Sequence, residues 1–225
     1  KLNKIKNDID SSLSYGEWID YNIEAEKLGY ESTFTVEHHF TGLGQVSASL
    51  NLLTFLAAKT SKIKLGTAVL TLPWHNPVLL AEQVATMDLL SNGRIQLGVG
   101  KGYRYNEFKG FKIDMNEANE RFHESIDIMV KSWENKEKWS YFGKFWSFED
   151  IIVEPSCYQL PYPTLWMAAG NHEAIKSVAK KNANLLLDQF SPLNEVIKRV
   201  ELYKSELEKN NFNNDTFNRI ALARA

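Results

Sequence analysis

The sequence predicts an α/β fold built on a parallel sheet, and three observations carry that prediction. Six runs of strand type recur along the chain, helical patterns lie between them, and the two alternate in strict order. Parallel neighbours need a crossover of a dozen or more residues, and a helix is the usual one. Two architectures satisfy the pattern: an eight-fold (β/α)8 barrel, which usually takes about 250 residues, and a doubly wound open sheet. With 225 residues and six strands, the chain lies close to the barrel without completing it.

Each element has its own signal. Apolar residues at spacings of three and four predict helices over 18–28, 48–58, 78–90, 121–133 and 196–207. Strands are predicted over 32–36 and 62–70, both reading as buried on two faces, then over 94–99, 164–168, 184–189 and 218–223. A further helix is expected after Asn171. The stretch 114–163 is too long for one crossover, and its middle, from Trp139 to Phe148, reads as a hairpin turning at Gly143-Lys144. It is expected to be an insertion around 138–153 within a single domain covering 1–225. Its aromatics would either stack on a ligand or cover the domain surface, and covering is the favoured reading.

Composition excludes several classes of function. Twenty-six basic residues against twenty-eight acidic ones leave a net charge of -2, which offers no footprint for a phosphate backbone, so no nucleic acid is expected. No apolar run approaches the roughly 20 residues of a membrane helix, and the Lys-rich start lacks the apolar stretch of a signal peptide. The chain therefore reads as soluble and cytoplasmic, with no membrane partner. A single cysteine, Cys157, can form neither an internal disulfide nor a thiolate cluster.

In a parallel α/β domain, ligands bind at the carboxyl ends of the strands. The strand ends here lead into polar and glycine-rich segments: Glu37-His38-His39-Phe40, then 71–77 with Trp74 and His75, then Gly98 to Tyr103, then Ala168 to His172, then Asp188 to Ser191. Four of the five histidines fall in these segments, and imidazole is the usual general acid or base near neutrality. His38 and His39 point in opposite directions if strand geometry persists, so at most one reaches a shared ligand, and no metal site is expected. The alternative is a structural histidine hydrogen-bonded to Glu37. Gly98, Gly100 and Gly102 would let backbone approach a flat or phosphorylated ligand, with Lys101 adding a cation. Gly170-Asn171 at a helix start would offer free amides to a phosphate, or Asn171 would be an ordinary cap. On the opposite rim, Asn92-Gly93 would close a helix in the left-handed conformation and Arg94 would pair with Asp88.

Taken together, these segments resemble the luciferase-like, flavin-dependent monooxygenases, a (β/α)8 TIM barrel family. The carrying residues are Glu37-His38-His39-Phe40-Thr41, the stretch from Leu65 to Val69 with Leu72-Pro73 and Pro77, the run from Asp88 to Arg94, and Leu97 to Gly102. Glu107-Phe108, Arg121 and the run from Trp166 to Gly170 continue the match. The resemblance implies reduced FMN, supplied by a separate flavin reductase, and O2 as co-substrate. The implied chemistry oxidises a small organic substrate through a flavin C4a peroxide, with His38 as the acid/base. It further implies cofactor contacts from Glu37, Ala68, Val69, Lys101, Arg121, Ala169, Gly170 and Asn171, with a non-prolyl cis peptide at Ala68-Val69 beneath the flavin ring. Lys101 departs from the family's frequent arginine, keeping the charge but losing the bidentate fork. Related members use F420 for hydride transfer, and a non-catalytic flavin-binding protein is a further alternative. A homo-oligomer is possible, since dimers are common in the family. The family's first and last barrel strands have no counterpart in this chain, which is therefore expected to be a fragment of a longer protein.

Overall fold

The computed structural model describes residues 11–40, 46–216 and 218–222, so Thr41 of the Glu37-to-Thr41 motif and Ala223 at the end of the last predicted strand lie outside the described residues. The chain order is α1 (Ser11–Lys27), β1 (Ser32–Thr35), α2 (Ser49–Ala57), β2 (Lys64–Thr67), β3 (Leu70–Thr71) and α3 (Pro77–Leu90). It continues with β4 (Ile95–Gly100), α4 (Tyr105–Phe111), α5 (Ala118–Glu134), β5 (Trp139–Phe142) and β6 (Ser147–Ile151). The last elements are β7 (Thr164–Ala168), α6 (His172–Lys180), β8 (Asn184–Leu187), α7 (Leu193–Lys209) and β9 (Ile220–Leu222). No helix among the described residues is long and apolar enough to cross a membrane.

The main sheet is parallel throughout and runs β1-β2-β4-β7-β8-β9, with β3 also on β4. Strand order tracks chain order without reversal, which is barrel winding; a doubly wound sheet reverses at a switch point. The result is an open part-barrel of the (β/α)8 type, flanked by helices. Leu65, Ile95, Leu97, Val99, Leu165, Met167, Leu185 and Leu187 form one face of the sheet. They are packed into one core with Leu53, Leu56, Val84, Met87, Ile126, Met129, Val178 and Leu207 from the helices. On the opposite face Phe34 meets Trp166 edge-on at 5.9 Å, and the Trp166 indole donates to Gln96 at 2.8 Å. β1 is not buried on both faces as expected: Ser32 is exposed and Thr33 and Phe34 are half-buried, because β1 is an end strand of the described sheet.

The predicted strand over 62–70 is broken in two. The Ala68-Val69 peptide between β2 and β3 is cis, and ladder pairing to β4 lapses there, from Gly66↔Gln96 to Leu70↔Val99. Thr67 bridges the gap: its hydroxyl donates to the Gly98 carbonyl at 2.7 Å and accepts from the Gly98 amide at 2.9 Å, so neither buried backbone group is orphaned. This close approach explains the glycine. A Cβ on Gly98 would lie 1.7 Å from the Thr67 carbonyl oxygen, and one on Gly100 or Gly102 would lie 2.6 Å from Val69 or Thr71. The three glycines thus admit the backbone of Thr67 and the side chains of Val69 and Thr71.

The rim at the amino ends of the strands is tied by the segment from Asp88 to Arg94. Asn92 (φ 54°) and Gly93 (φ 76°) turn the chain in the left-handed conformation, as expected. The expected Arg94–Asp88 pair does not form. Asp88 is fully buried and accepts from the backbone and side-chain amides of Gln159, both at 2.7 Å. Arg94 instead donates to the carbonyls of Ala57, Thr60, Ile63 and Ser91, closing the carboxyl end of α2 where orphan carbonyls need donors. The hairpin β5–β6 turns at 143–146, with the Gly143 amide bonded to the Trp146 carbonyl at 2.9 Å. Helix α4 has no counterpart in the sequence reading, because seven residues do not display a full apolar period.

Gly98 and Gly16 should respond in opposite ways to alanine. Gly98→Ala must displace a strand and is expected to cost about 3 kcal/mol or more in urea unfolding. Gly16, in α1 with open space around it, should gain about 0.5–1 kcal/mol as Gly16→Ala.

Candidate active site

Parallel register lines up the carboxyl ends of the strands. Thr35 pairs with Thr67, Thr71 with Gly100, Val99 with Met167, and Ala168 with Leu186. The segments just beyond these ends, 37–40, 68–75, 101–104, 169–171 and 188–191, therefore share one edge of the sheet.

At the end of β1, Glu37 is buried, with 3% of its surface exposed, and its carboxylate is fully engaged. Oε1 accepts from His39 Nε2 at 2.7 Å, His75 Nε2 at 2.8 Å and Trp74 Nε1 at 3.0 Å, while Oε2 accepts from the Thr71 amide at 2.8 Å. Burial alone would raise its pKa, but the hydrogen bonds and charge of His75, with those of His39 and Trp74, lower it to about 2. Two histidines thus take the structural role that the sequence allowed for one. Glu37, which the resemblance sets against the cofactor, is a hub for these donors, with three bonds on Oε1 and one on Oε2. Aromatic rings close over the hub, with Trp74 stacked on Phe111 at 5.2 Å and edge-on to Phe108 at 5.3 Å.

His38 has a different partner. Its Nδ1 donates to Oε1 of Glu107 at 3.1 Å, and the same oxygen accepts the backbone amide of His39 at 2.9 Å. Glu107 lies on α4 and is 3% exposed, so it is a buried carboxylate that fixes one imidazole tautomer and leaves His38 Nε2 as an acceptor. The His38-His39 dipeptide is held between two buried carboxylates, one on each side, as the opposite pointing of its side chains requires. From sequence, Glu107 enters only within the family pattern and carries no role. A helix prediction over 105–111 would have exposed it as an acid on a buried face.

Lys101 comes directly after β4, and register carries Ala169 and Gly170 past the end of the neighbouring β7. Lys101 makes no hydrogen bond or ion pair among the described residues, yet its charge reaches α5. Burial, then Lys181 and Lys101, push the His123 imidazole below its ordinary value against the pull of Asp127. Arg121, in the first turns of α5, gives its Nε to Glu117 at 2.9 Å, and its two Nη groups have no partner among the described residues. Asn171 caps α6 by accepting from the Ala174 amide at 2.9 Å, and Gly170 ahead of it has open space around its Cα. This donor set fits a flat group carrying a phosphate: Lys101 has no ion pair and the Arg121 Nη groups no hydrogen bond among the described residues, the start of α6 has open space beside Gly170, and His38 Nε2 has no hydrogen-bond partner among them. Next along the edge, Asp188 accepts from the Phe190 and Ser191 amides, the Ser191 hydroxyl and Arg199. Burial opposes these contacts, yet they hold Asp188 at about 2. Among the described residues, no group of three or more His, Cys, Asp or Glu is arranged to hold a metal ion.

Comparison with known proteins gives a consistent result. The family described as luciferase-like monooxygenase matches residues 2–224. The oxygenase component of the flavin-dependent trigonelline monooxygenase of Acinetobacter baylyi is 28% identical over 201 residues, covering 87% of this chain and 54% of that protein. The crystal structure of a monooxygenase from Streptomyces bottropensis superposes with a TM-score of 0.86 at 26% identity, over 92% of this chain and 65% of that one. The oxygenating constituent of 3,6-diketocamphane monooxygenase from Pseudomonas putida, solved with FMN, shares the fold at a TM-score of 0.86 and 19% identity, over 97% of this chain and 63% of that one. The chain spans about half the length of the curated relatives it matches.

The Glu37 hub makes stability depend on acid. Because the folded value lies below the ordinary one, the contribution is complete above 4.5 and is lost as pH falls toward about 2. Glu37→Gln is expected to cost roughly 3 kcal/mol at neutral pH and to flatten this part of the pH profile. Urea unfolding at a series of pH values reads both effects.

Proposed function

The chain belongs to the luciferase-like monooxygenase family, and from that premise we propose that it is the flavin-binding part of a two-component monooxygenase. A separate flavin reductase would deliver reduced FMN, and the protein would oxidise a small organic substrate with O2. A relative named as an oxygenase component supports the division of labour. The observation that carries the reading is the His38–Glu107 pair, an imidazole with one nitrogen fixed by a buried carboxylate and the other free.

FMN, when bound, supplies the two-electron chemistry with oxygen that no side chain here can carry. The chain's own residues have three tasks. Lys101, the Nη groups of Arg121, and the backbone of Ala169, Gly170 and Asn171 at the start of α6 hold the phosphate. Ala68 and Val69, between the two strand segments that pair with β1 and β4, back the ring. His38 takes or gives a proton at Nε2 as acid/base, while Glu107 holds its Nδ1 proton and so keeps one tautomer throughout. Glu37 acts at one remove, by fixing His39 and the turn at 71–75.

The test is an anaerobic titration of the full-length protein with reduced FMN, followed by mixing with oxygen. Reduced FMN should bind in the micromolar range, and F420 should not. His38→Ala should bind FMN as tightly, while the rate of flavin re-oxidation changes by about a hundredfold. An unchanged rate with binding intact would remove His38 from proton handling. Binding of F420 alone would replace both cofactor and reaction class.

A further inference from the structure

The hairpin β5–β6 stands outside the main sheet, and its turn is fastened to α5 by three contacts. Glu124 accepts the Phe145 amide on both carboxylate oxygens at 3.1 Å and the Trp146 amide on Oε1 at 3.0 Å. Lys144 pairs with Glu120 one helical turn earlier. The third contact is the Phe145 ring itself, whose centroid lies 4.3 Å from the guanidinium carbon of Arg121. Gly143 makes the clamp possible, since a Cβ there would lie 2.1 Å from Glu124 Oε1.

Arg121 is therefore held from two directions. Glu117 takes Nε, and Phe145 covers a face of the planar cation, which leaves the Nη edge to meet an anion. An arginine without these supports would lose rotamer freedom each time it gripped a phosphate. One already fixed avoids that cost, which is the general reason a preorganised site binds more tightly. Sequence separation hides the arrangement, because Phe145 lies 24 positions beyond Arg121, in the turn of the hairpin.

We propose that Phe145 is a positioning residue for Arg121, so that the hairpin turn sets part of the affinity for the cofactor's phosphate. This rests on the reading of Arg121 as a phosphate ligand. The role gives one hairpin aromatic a purpose beyond covering surface: the Phe145 ring meets the Arg121 guanidinium and also the Lys144 ammonium, which is 5.0 Å from the ring centroid.

The experiment compares FMN with riboflavin, which lacks the phosphate, by fluorescence titration of the full-length protein and the variants Phe145→Leu, Phe145→Tyr, Arg121→Met and Phe145→Leu/Arg121→Met. Thermal melting checks that each variant is folded. Phe145→Leu should weaken FMN about three- to tenfold and leave riboflavin unchanged. Phe145→Tyr, which keeps an aromatic face, should restore wild-type affinity, and Phe145→Leu should add nothing in the Arg121→Met background. Equal loss for both flavins, or additive loss in the double variant, would overturn the proposal. If Arg121→Met lowers the FMN preference and Phe145→Leu does not, the phosphate reading stands and this proposal alone fails. If Arg121→Met leaves the preference unchanged, the phosphate reading of Arg121 fails and the proposal falls with it.

Discussion

The site depends on two carboxyl groups held inside the protein with their oxygens met by its own donors. Removing a carboxylate from water costs several kcal/mol, and only good geometry with enough donors offsets it. Glu37 meets the requirement with four donors from two segments, and in doing so joins the end of β1 to the turn at 71–75. Glu107 meets it with two donors from the His38-His39 dipeptide and joins α4 to the same strand end. Since each acid needs its donors as much as the donors need the acid, the loops at this edge are held by the penalty for releasing them.

The other end of the row is arranged on the opposite principle. Lys101 makes no ion pair and the Nη groups of Arg121, beyond its pair with Glu117, make no hydrogen bond among the described residues, and Asn171 caps a helix start without filling the space beside Gly170. At the histidine end the carboxyl oxygens of Glu37 and Glu107 are met by the protein's own donors, whereas Lys101 and the two Nη groups of Arg121 have no hydrogen-bond partner among the described residues. Such a division suits a ligand with an apolar or reactive part and an anionic tail, because each end meets the environment it requires.

Between the two ends lies the break between β2 and β3. The Thr67 hydroxyl replaces the missing ladder bonds to Gly98, so the sheet continues past the interruption with its buried polar groups satisfied. That local solution also accounts for a glycine whose alternative reading was ligand contact. On the far rim partners are exchanged as well: Asp88 holds Gln159 and Arg94 closes α2, although their spacing on one helix end had suggested a simple ion pair.

The alternation of strands and helices and the row of polar strand ends were determined by the sequence, because burial periodicity is a local property, whereas periodicity left barrel and doubly wound sheet both open and the strand order decided between them. The left-handed turn at Asn92-Gly93 was legible for the same reason, since only a few residue types accept that backbone. Tertiary structure alone decided which charges neutralise one another. The His38 and His39 side chains are adjacent in sequence but go to different carboxylates, Glu107 pairs with His38 across 69 positions, and Phe145 meets Arg121 across 24. Hydrogen bonds and ring contacts are short-ranged in space and indifferent to sequence distance, so their partners become known only once the chain is folded.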